Sequence, residues 1–413
     1  MEEGVERPRL RALEAFPVEQ DGERLIGLRD PGGFTDQIAL LPIPLLDLVS
    51  LFDGEHTVAE MCDILARRRG DEAPGPEDIA KVVERFDEAG FLDSPGFALR
   101  KGRIEGDWLA RSSRPAAHAG GAYAGEVDAL RSQIDGFFTH REGPGLRSPR
   151  DGASSTRLTG LIAPHIDFHR GGPTYGWAYR ALLERADADL FVILGTCHAG
   201  MAEPFAATLK PYETPLGAAA VDRDFFEALQ RRYGHDLLAS ETAHRAEHSV
   251  EFQAVMLRRL LSERPFSILP VLASFLHEAI WGEGEPESDP RVPRFLDALG
   301  ETLQATERRV CVIAGVDLAH VGPRFGDAEP NTPDFLERVA GEDRRMLEAV
   351  MAGQAGAFFD SVAADGDRRR ICGLSPIYAF LRALPGARGE LLRYSQWPDP
   401  AGAVTFCAAA FSS

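Results

Sequence analysis

Cysteine is scarce in this chain of 413 residues: Cys62, Cys197, Cys311, Cys372 and Cys407 are the only five. An odd, scattered set argues against a disulfide framework and suits a reducing compartment. Long hydrophobic runs are missing as well, so no stretch is predicted to cross a bilayer. The amino-terminal MEEGVERPRL is acidic and lacks the apolar segment of a secretory signal. A cytoplasmic protein without membrane attachment is expected. Positive charge is in deficit, with 45 Lys and Arg against 64 Asp and Glu and a net charge of −19. Nucleic-acid binding draws its affinity from clustered cations, so that class of partner is not expected. Two short basic runs, Arg67 to Arg69 and Arg368 to Arg370, read as solvated helix or loop faces. Internal repeats and low-complexity tracts are absent from the sequence.

What is present is the composition of a globular protein, 44% hydrophobic and 26% charged, with a length that suggests two or three domains. Residues 1 to 100 are predicted to form a small helical domain. IALLPIPLLDLVSLFDG (38 to 54) carries apolar residues on a helical face after Pro44 and stops at Asp53 and Gly54. Thr57 caps VAEMCDILARRRG, in which Val58, Met61, Ile64 and Leu65 share one face. EDIAKVVERFDEAGFLD follows, with Ile79, Val82, Val83 and Phe86 inward. Three short helices of this kind predict a winged-helix-like module. The segment resembles the PqqD-like peptide-recognition domains in LLDLVSLFDGEHTVAEMCDIL followed by VVERFDEAGFL, and the resemblance implies capture of a peptide along a β edge. A structural cap on the larger domain is the alternative reading.

Arg, Gly, Ser and Pro dominate from about residue 97 to 155. A linker is predicted at 101 to 114, and REGPGLRSPRDGASS (141 to 155) is predicted to be a loop or mobile connection. Between them EVDALRSQIDGFF has helical spacing through Val127, Leu130 and Ile134. The larger domain is predicted to span 115 to 413. In it LTGLIAP, DLFVILG, FSILPVLA and RVCVIAG are short, β-branched and nearly all apolar, as expected of strands buried on both faces. Helical stretches such as RDFFEALQRRY, SVEFQAVMLRRLLSE and PRFLDALGETLQAT separate them. The expected fold class is therefore α/β, a three-layer αβα sandwich.

Four runs place chemistry where such strands end: LIAPHIDFHRGG (161 to 172), FVILGTCHAG (191 to 200), VIAGVDLAHVG (312 to 322) and RRRICGLSPI (368 to 377). In open α/β sheets ligands bind at the carboxyl ends of the strands, so these runs are expected to converge. His165 follows Pro164, which holds the turn. Arg170, Gly171 and Gly172 form an anion-friendly set with room for close approach. His198 is preferred to Cys197 as a ligand, because neighbours in an extended strand face opposite ways. His248 and Glu251, three apart at a helix start, share a face and suit an acid–base pair or a partner for a metal-bound imidazole. His244 is expected to be exposed. Asp317 is placed to orient an imidazole or to cap a helix, and His320 to carry a proton. Cys372 is either a thiolate ligand or an apolar-like buried thiol.

Taken in order, AAHAGGAY (116 to 123), IAPHIDFHRGG (162 to 172), ILGTCH (193 to 198), YETPLG (212 to 217), EHSVEFQ (247 to 253), ILPVL (268 to 272), VDLAH (316 to 320) and ICGLSPI (371 to 377) resemble the Memo-like family. That family includes the bacterial AmmeMemoRadiSam system protein B group and is related in fold to the class III extradiol dioxygenases. The resemblance implies a mononuclear site of two histidines and one cysteine, which carries over onto His165, His198 and Cys372. His118, Glu251, Asp317 and His320 would line the same cleft, with Arg170, Gly171 and Tyr123 as substrate contacts. In the dioxygenase relatives the third ligand is a carboxylate and the metal is ferrous iron; here iron is expected, with copper or zinc as alternatives. This chain has TCHA where relatives often have PSHH, and GVD where many have SSD. Ile166 and Asp167 follow APH in place of Ala-Gly. These departures touch pocket walls and no proposed ligand.

The leading expectation is a non-haem metal-dependent redox protein, with an oxygenase acting on a small molecule as one version. A second is a metal-containing, peptide-binding maturation partner of a radical SAM system, working with radical SAM and AMMECR1-like partner proteins. A third is an anion or phosphopeptide-recognition protein using Arg170 and its glycines.

Overall fold

The computed structural model describes residues 5–20, 22–145, 157–282 and 284–412. Residues 146 to 155 of the expected loop, and the first four of the acidic amino-terminal stretch, lie outside the described residues. The chain divides into two compact units at Ala110 and Arg111.

In the first unit β1 (Glu14–Gln20), β2 (Glu23–Arg29) and β3 (Ile38–Pro42) form an antiparallel sheet in that order. Helices α1 (Leu46–Val49), α2 (Val58–Arg69), α3 (Pro76–Glu88) and α4 (Pro95–Leu109) follow. The predicted cap at Thr57 is present, and Glu60 completes it as a reciprocal capping box; Met61 and Leu65 are fully buried. The expectation of an all-helical unit needs correction. Residues 38 to 42 are a strand, because Pro42 pushes Leu41 out of the helical region, and Ile43–Leu45 then form a short 3-10 turn that leads into α1. The expected linker at 101 to 114 is also corrected, since its residues up to Leu109 complete α4. That helix opens with Ser94 capping Phe97 and is anchored by buried Phe97 and Trp108.

Among the described residues the second unit holds nine strands: β4 (Leu158–Ala163), β5 (Leu190–Thr196), β6 (Phe205–Ala207), β7 (Ala220–Val221), β8 (Ser267–Ala273), β9 (Val310–Gly315), β10 (His320–Val321), β11 (Arg388–Asp399) and β12 (Gly402–Ser412). They make one mixed sheet of order β10-β12-β4-β9-β5-β8-β6, with β11 on β12 and β7 on β8. The centre, β4-β9-β5-β8, is parallel and consists of the four predicted strands. The long hairpin β11-β12 was not predicted; it covers the flank of β4 in antiparallel fashion.

Alternation along each central strand feeds two apolar layers. Ile162, Val192, Leu194, Val312 and Ala314 face one cluster, and Leu161, Ala163, Phe191, Ile193 and Ile313 the other. The first layer packs on α7 (Arg223–Tyr233), α10 (Arg291–Ala305), α11 (Pro333–Met351), α12 (Ala355–Ala363) and α13 (Leu374–Ala383). The second packs on α5 (Val127–Thr139), α6 (Phe168–Arg185) and α8 (Ser249–Leu260), while α9 (Leu276–Trp281) follows β8. The result is a central mixed sheet flanked by helices. Among the described residues no helix is long and apolar enough to cross a membrane, and the five cysteines are free.

Candidate metal centre

Three adjacent parallel strands end side by side, with Ala163 of β4 and Gly195 of β5 both in register with Gly315 of β9. Neighbouring strands lie about 4.8 Å apart, so residues leaving β4 and β5 are roughly 10 Å apart across the end of β9. Imidazoles reaching inward from either flank therefore meet above it. The side-chain nitrogens of His165 and His198 and the sulfur of Cys372 lie within 4.8 Å of one another.

Each of the three side chains is aimed by a partner. His165 is buried, and its Nδ1 donates to the Gly315 carbonyl at 3.0 Å, which leaves the Nε2 lone pair 3.2 Å from Cys372 Sγ. Burial, together with neighbouring His198, pushes its pKa down to about 3, so it stays neutral. The Asp317 carboxylate accepts the main-chain N–H groups of His165 and Ile166, and Gln253 donates to the carbonyl of Pro164. Asp317 itself is pushed up to about 6 by burial, against the pull of His320 and these two N–H groups.

His198 keeps 33% of its side chain open. Its Nδ1 lies 3.1 Å from both oxygens of Glu247, and its main-chain N–H donates to the same carboxylate at 2.9 Å. Burial opposes its charge, yet Glu247 and Cys372 hold the imidazole well above its ordinary value. Such a carboxylate–imidazole pair sets the tautomer and directs Nε2 outward. The sequence reading gave the orienting role to Glu251, and Glu247 was missed.

Cys372 arrives on an unusual backbone. Asp367 and Arg370 take φ of 53° and 52°, a region that non-glycine residues adopt only when surroundings compel it. The Arg370 guanidinium donates to the His320 carbonyl and to Asp327. Arg369 corrects the reading of the basic run as a solvated face: it is 4% exposed and pairs with fully buried Asp343, which also accepts from Tyr394 and Thr405. At Gly373 a Cβ would sit 2.6 Å from the Asp317 carbonyl oxygen, so glycine alone lets the cysteine turn press onto the end of β9. Burial raises the Cys372 thiol, and His198 pulls it back.

Other expected site residues divide clearly. His248 stacks on His198 with ring centroids 4.6 Å apart, and its ring is 5.1 Å from that of His165. His118 touches His248 edge-on at 5.5 Å, with Nε2 bonded to the Ala246 carbonyl. His320 opens β10, with its ring edge against Phe325. Glu251 is not an acid or base here: fully buried, it pairs with Arg114 and accepts from the His118 main chain and the Tyr123 hydroxyl. Tyr123, 2% exposed and spent on that bond, is no substrate contact. Arg170 is paired with Asp167, and a Cβ on Gly171 would strike Ile166, so that glycine serves packing and not ligand approach. His244 is fully buried between Tyr212 and the Ala206 carbonyl, contrary to the exposure expected of it. Cys197 turns into the apolar layer and is pushed up to about 12 by burial.

Arg114, which sequence patterns did not single out, holds the carbonyls of His244 and Glu247 and thereby the segment that presents Glu247 and His248. Two neutral-capable imidazoles with their Nδ1 groups committed elsewhere, and one thiol beside them, suit a borderline transition metal.

Comparison with known proteins identifies the family. A MEMO1 family protein of Aquifex aeolicus is 26% identical over 396 residues, covering 95% of this chain and 96% of the relative, so the likeness includes the first unit. MEMO1 family proteins of Methanopyrus kandleri and Methanothermobacter thermautotrophicus are 29% and 31% identical over 298 and 297 residues, 70% of this chain and 94% and 95% of theirs. Residues 114–406, from the buried arginine through the cysteine turn and into the final strand, match the family described as Memo-like protein, and the chain belongs to that family.

Proposed function

We propose that this chain is a metal-dependent redox protein that holds one tightly bound transition-metal ion on His165, His198 and Cys372, with iron the expected metal and copper or zinc the alternatives. The observation that carries this reading is the mutual 4.8 Å approach of three ligand atoms from distant segments, with each imidazole Nδ1 already satisfied. The ion would supply Lewis acidity and, as iron or copper, one-electron chemistry.

Protein groups account for the rest. The open third of His198 is the side from which a small molecule approaches. His248 and His320 are held below their ordinary basicity by burial, so each is a neutral base able to accept a proton from a substrate hydroxyl. Asp317 keeps His165 in place through its main chain. An oxygenase of the class III extradiol type, on an αβα sandwich of that type, is one version; the thiolate replaces the carboxylate usual there. Metal analysis of anaerobically purified protein tests the site: wild type retains the ion, and His165→Ala and Cys372→Ser lose most of it. Equal content in all three overturns the assignment. Oxygen uptake with Fe(II) and catechols then separates turnover from mere binding.

The second reading, a cytoplasmic AmmeMemoRadiSam system B protein that presents a peptide to radical SAM and AMMECR1-like partners, has its own support. The first unit is compact and offers β3 as a sheet edge with Ile38 and Leu40 exposed at 57% and 42%, as strand addition by a PqqD-like, winged-helix-type module needs. The anion-recognition reading is less favoured, because Arg170 is paired with Asp167.

A further inference from the structure

We propose a second, shallower divalent-cation site on the far side of the His198 ring, formed by His198 Nδ1, the Glu247 carboxylate and the His248 imidazole. It rests on the metal reading above, because His198 would then bridge two ions. The three donor groups lie within 4.8 Å of one another, separately from the His165–His198–Cys372 group. Around a tetrahedral ion with bonds of about 2.0–2.1 Å, ligand atoms stand about 3.3 Å apart. The separations here are 3.1 Å from His198 Nδ1 to Glu247 and 3.4 Å from Glu247 to His248.

An orienting role explains why Glu247 faces His198 but not why His248, whose part as a proton acceptor is open only while the second ion is absent, turns to the same carboxylate. That ring makes no hydrogen bond to any described residue, yet it lies parallel to His198 at 19° with a nitrogen toward the same carboxylate. Glu247 is anchored by main-chain N–H groups of His198 and Ser249, one to each oxygen, and each oxygen keeps a lone pair. Two imidazoles and a carboxylate form a ligand set typical of zinc, and borderline divalent ions such as Zn²⁺, Co²⁺ and Cu²⁺ are the class expected. Both rings are about a third open, 33% and 29%, so an ion can arrive from solvent, and the His198 Nδ1 proton leaves to solvent as it binds. The positive end of α8 opposes a cation, which makes this the weaker site.

The test is an anaerobic Co²⁺ titration of the chelator-stripped full chain, followed by absorption and by equilibrium dialysis. Wild type is expected to bind two ions, the first bringing a thiolate-to-cobalt band and the second adding visible bands without it. His248→Ala should bind one ion with the thiolate band intact, and Cys372→Ser one ion without it. Saturation of wild type at a single ion with the thiolate band, with Glu247→Gln lowering its affinity about 10–100-fold, would leave Glu247 an orienting group only and overturn the proposal. Loss of the thiolate band in His248→Ala would overturn it too, by making His248 a ligand of the first ion. Absence of that band in wild type at every ratio would instead strike the primary site.

Discussion

Arg114 has none of its side chain exposed, and its guanidinium meets the equally buried carboxylate of Glu251. It also donates to the carbonyls of His244, Glu247 and Pro115 and lies over the Tyr212 ring. A pair this deep is held by satisfaction of every polar atom more than by Coulomb attraction. Arg114→Ala should therefore destabilise the second unit by about 3–5 kcal/mol, because it strands a buried charge. The double variant Arg114→Met, Glu251→Leu should cost less, because it leaves no unpaired buried charge while still freeing the loop carbonyls of His244 and Glu247, and urea denaturation of both variants checks the difference. An equal loss in the two would show that the guanidinium acts through the loop carbonyls alone. The same local logic explains why Glu251 is unavailable for chemistry while Glu247, four residues earlier, is available.

The element that joins fold to site is α8. Its first turn packs on the ends of β5 and β9, with the Ser249 hydroxyl donating to the Thr196 carbonyl. Glycine stands at that contact on both strands, Gly195 before the last residue of β5 and Gly315 at the end of β9: a Cβ on Gly315 would lie 2.6 Å from the Ser249 carbonyl oxygen and 2.9 Å from Gln253 Nε2. Gly315→Ala should cost about 1–3 kcal/mol by overpacking. It should also weaken metal retention, because the Gly315 carbonyl aims His165 and the displaced turn carries Glu247 and His248. Thermal melting and metal content measured on the same preparation check both halves. A stability loss with full metal content would detach helix packing from ligand alignment.

At the scale of the whole molecule, each compact unit has its own apolar cluster. The second unit begins with pairing that includes residue 111, whose carbonyl accepts from Lys210, and Arg114, whose N–H and carbonyl bond Pro211 and Glu213. A chain of residues 111 to 413 should accordingly bind the first Co²⁺ with the same thiolate band as the full chain, which absorption spectroscopy checks. Failure of that fragment to bind, with its fold retained by circular dichroism, would show that the second unit alone does not form the metal site. Much of this architecture was legible beforehand. The four central strands read as continuous apolar runs because both their faces are covered, and the capping box at Thr57 and Glu60 is a local signal. Strands β1 and β2 were missed because they are half exposed and weakly patterned, and β11-β12 because a flanking hairpin carries polar and small residues in no single period.

The family and the parallel centre of the sheet were legible in the sequence alone, as was the expectation that His165, His198 and Cys372 converge, since these depend on local order and on motifs a few residues long. Tertiary structure alone decided which carboxylate serves them. A spacing of three places His248 and Glu251 on one helical face, but His248 is the N-cap, and Glu247 lies before the helix, where it is directed by N–H groups of His198 and Ser249. The burial of Arg114 and Arg369 was likewise invisible locally, because a charge can leave water only beside a partner, and those partners, Glu251 and Asp343, are 137 and 26 residues away.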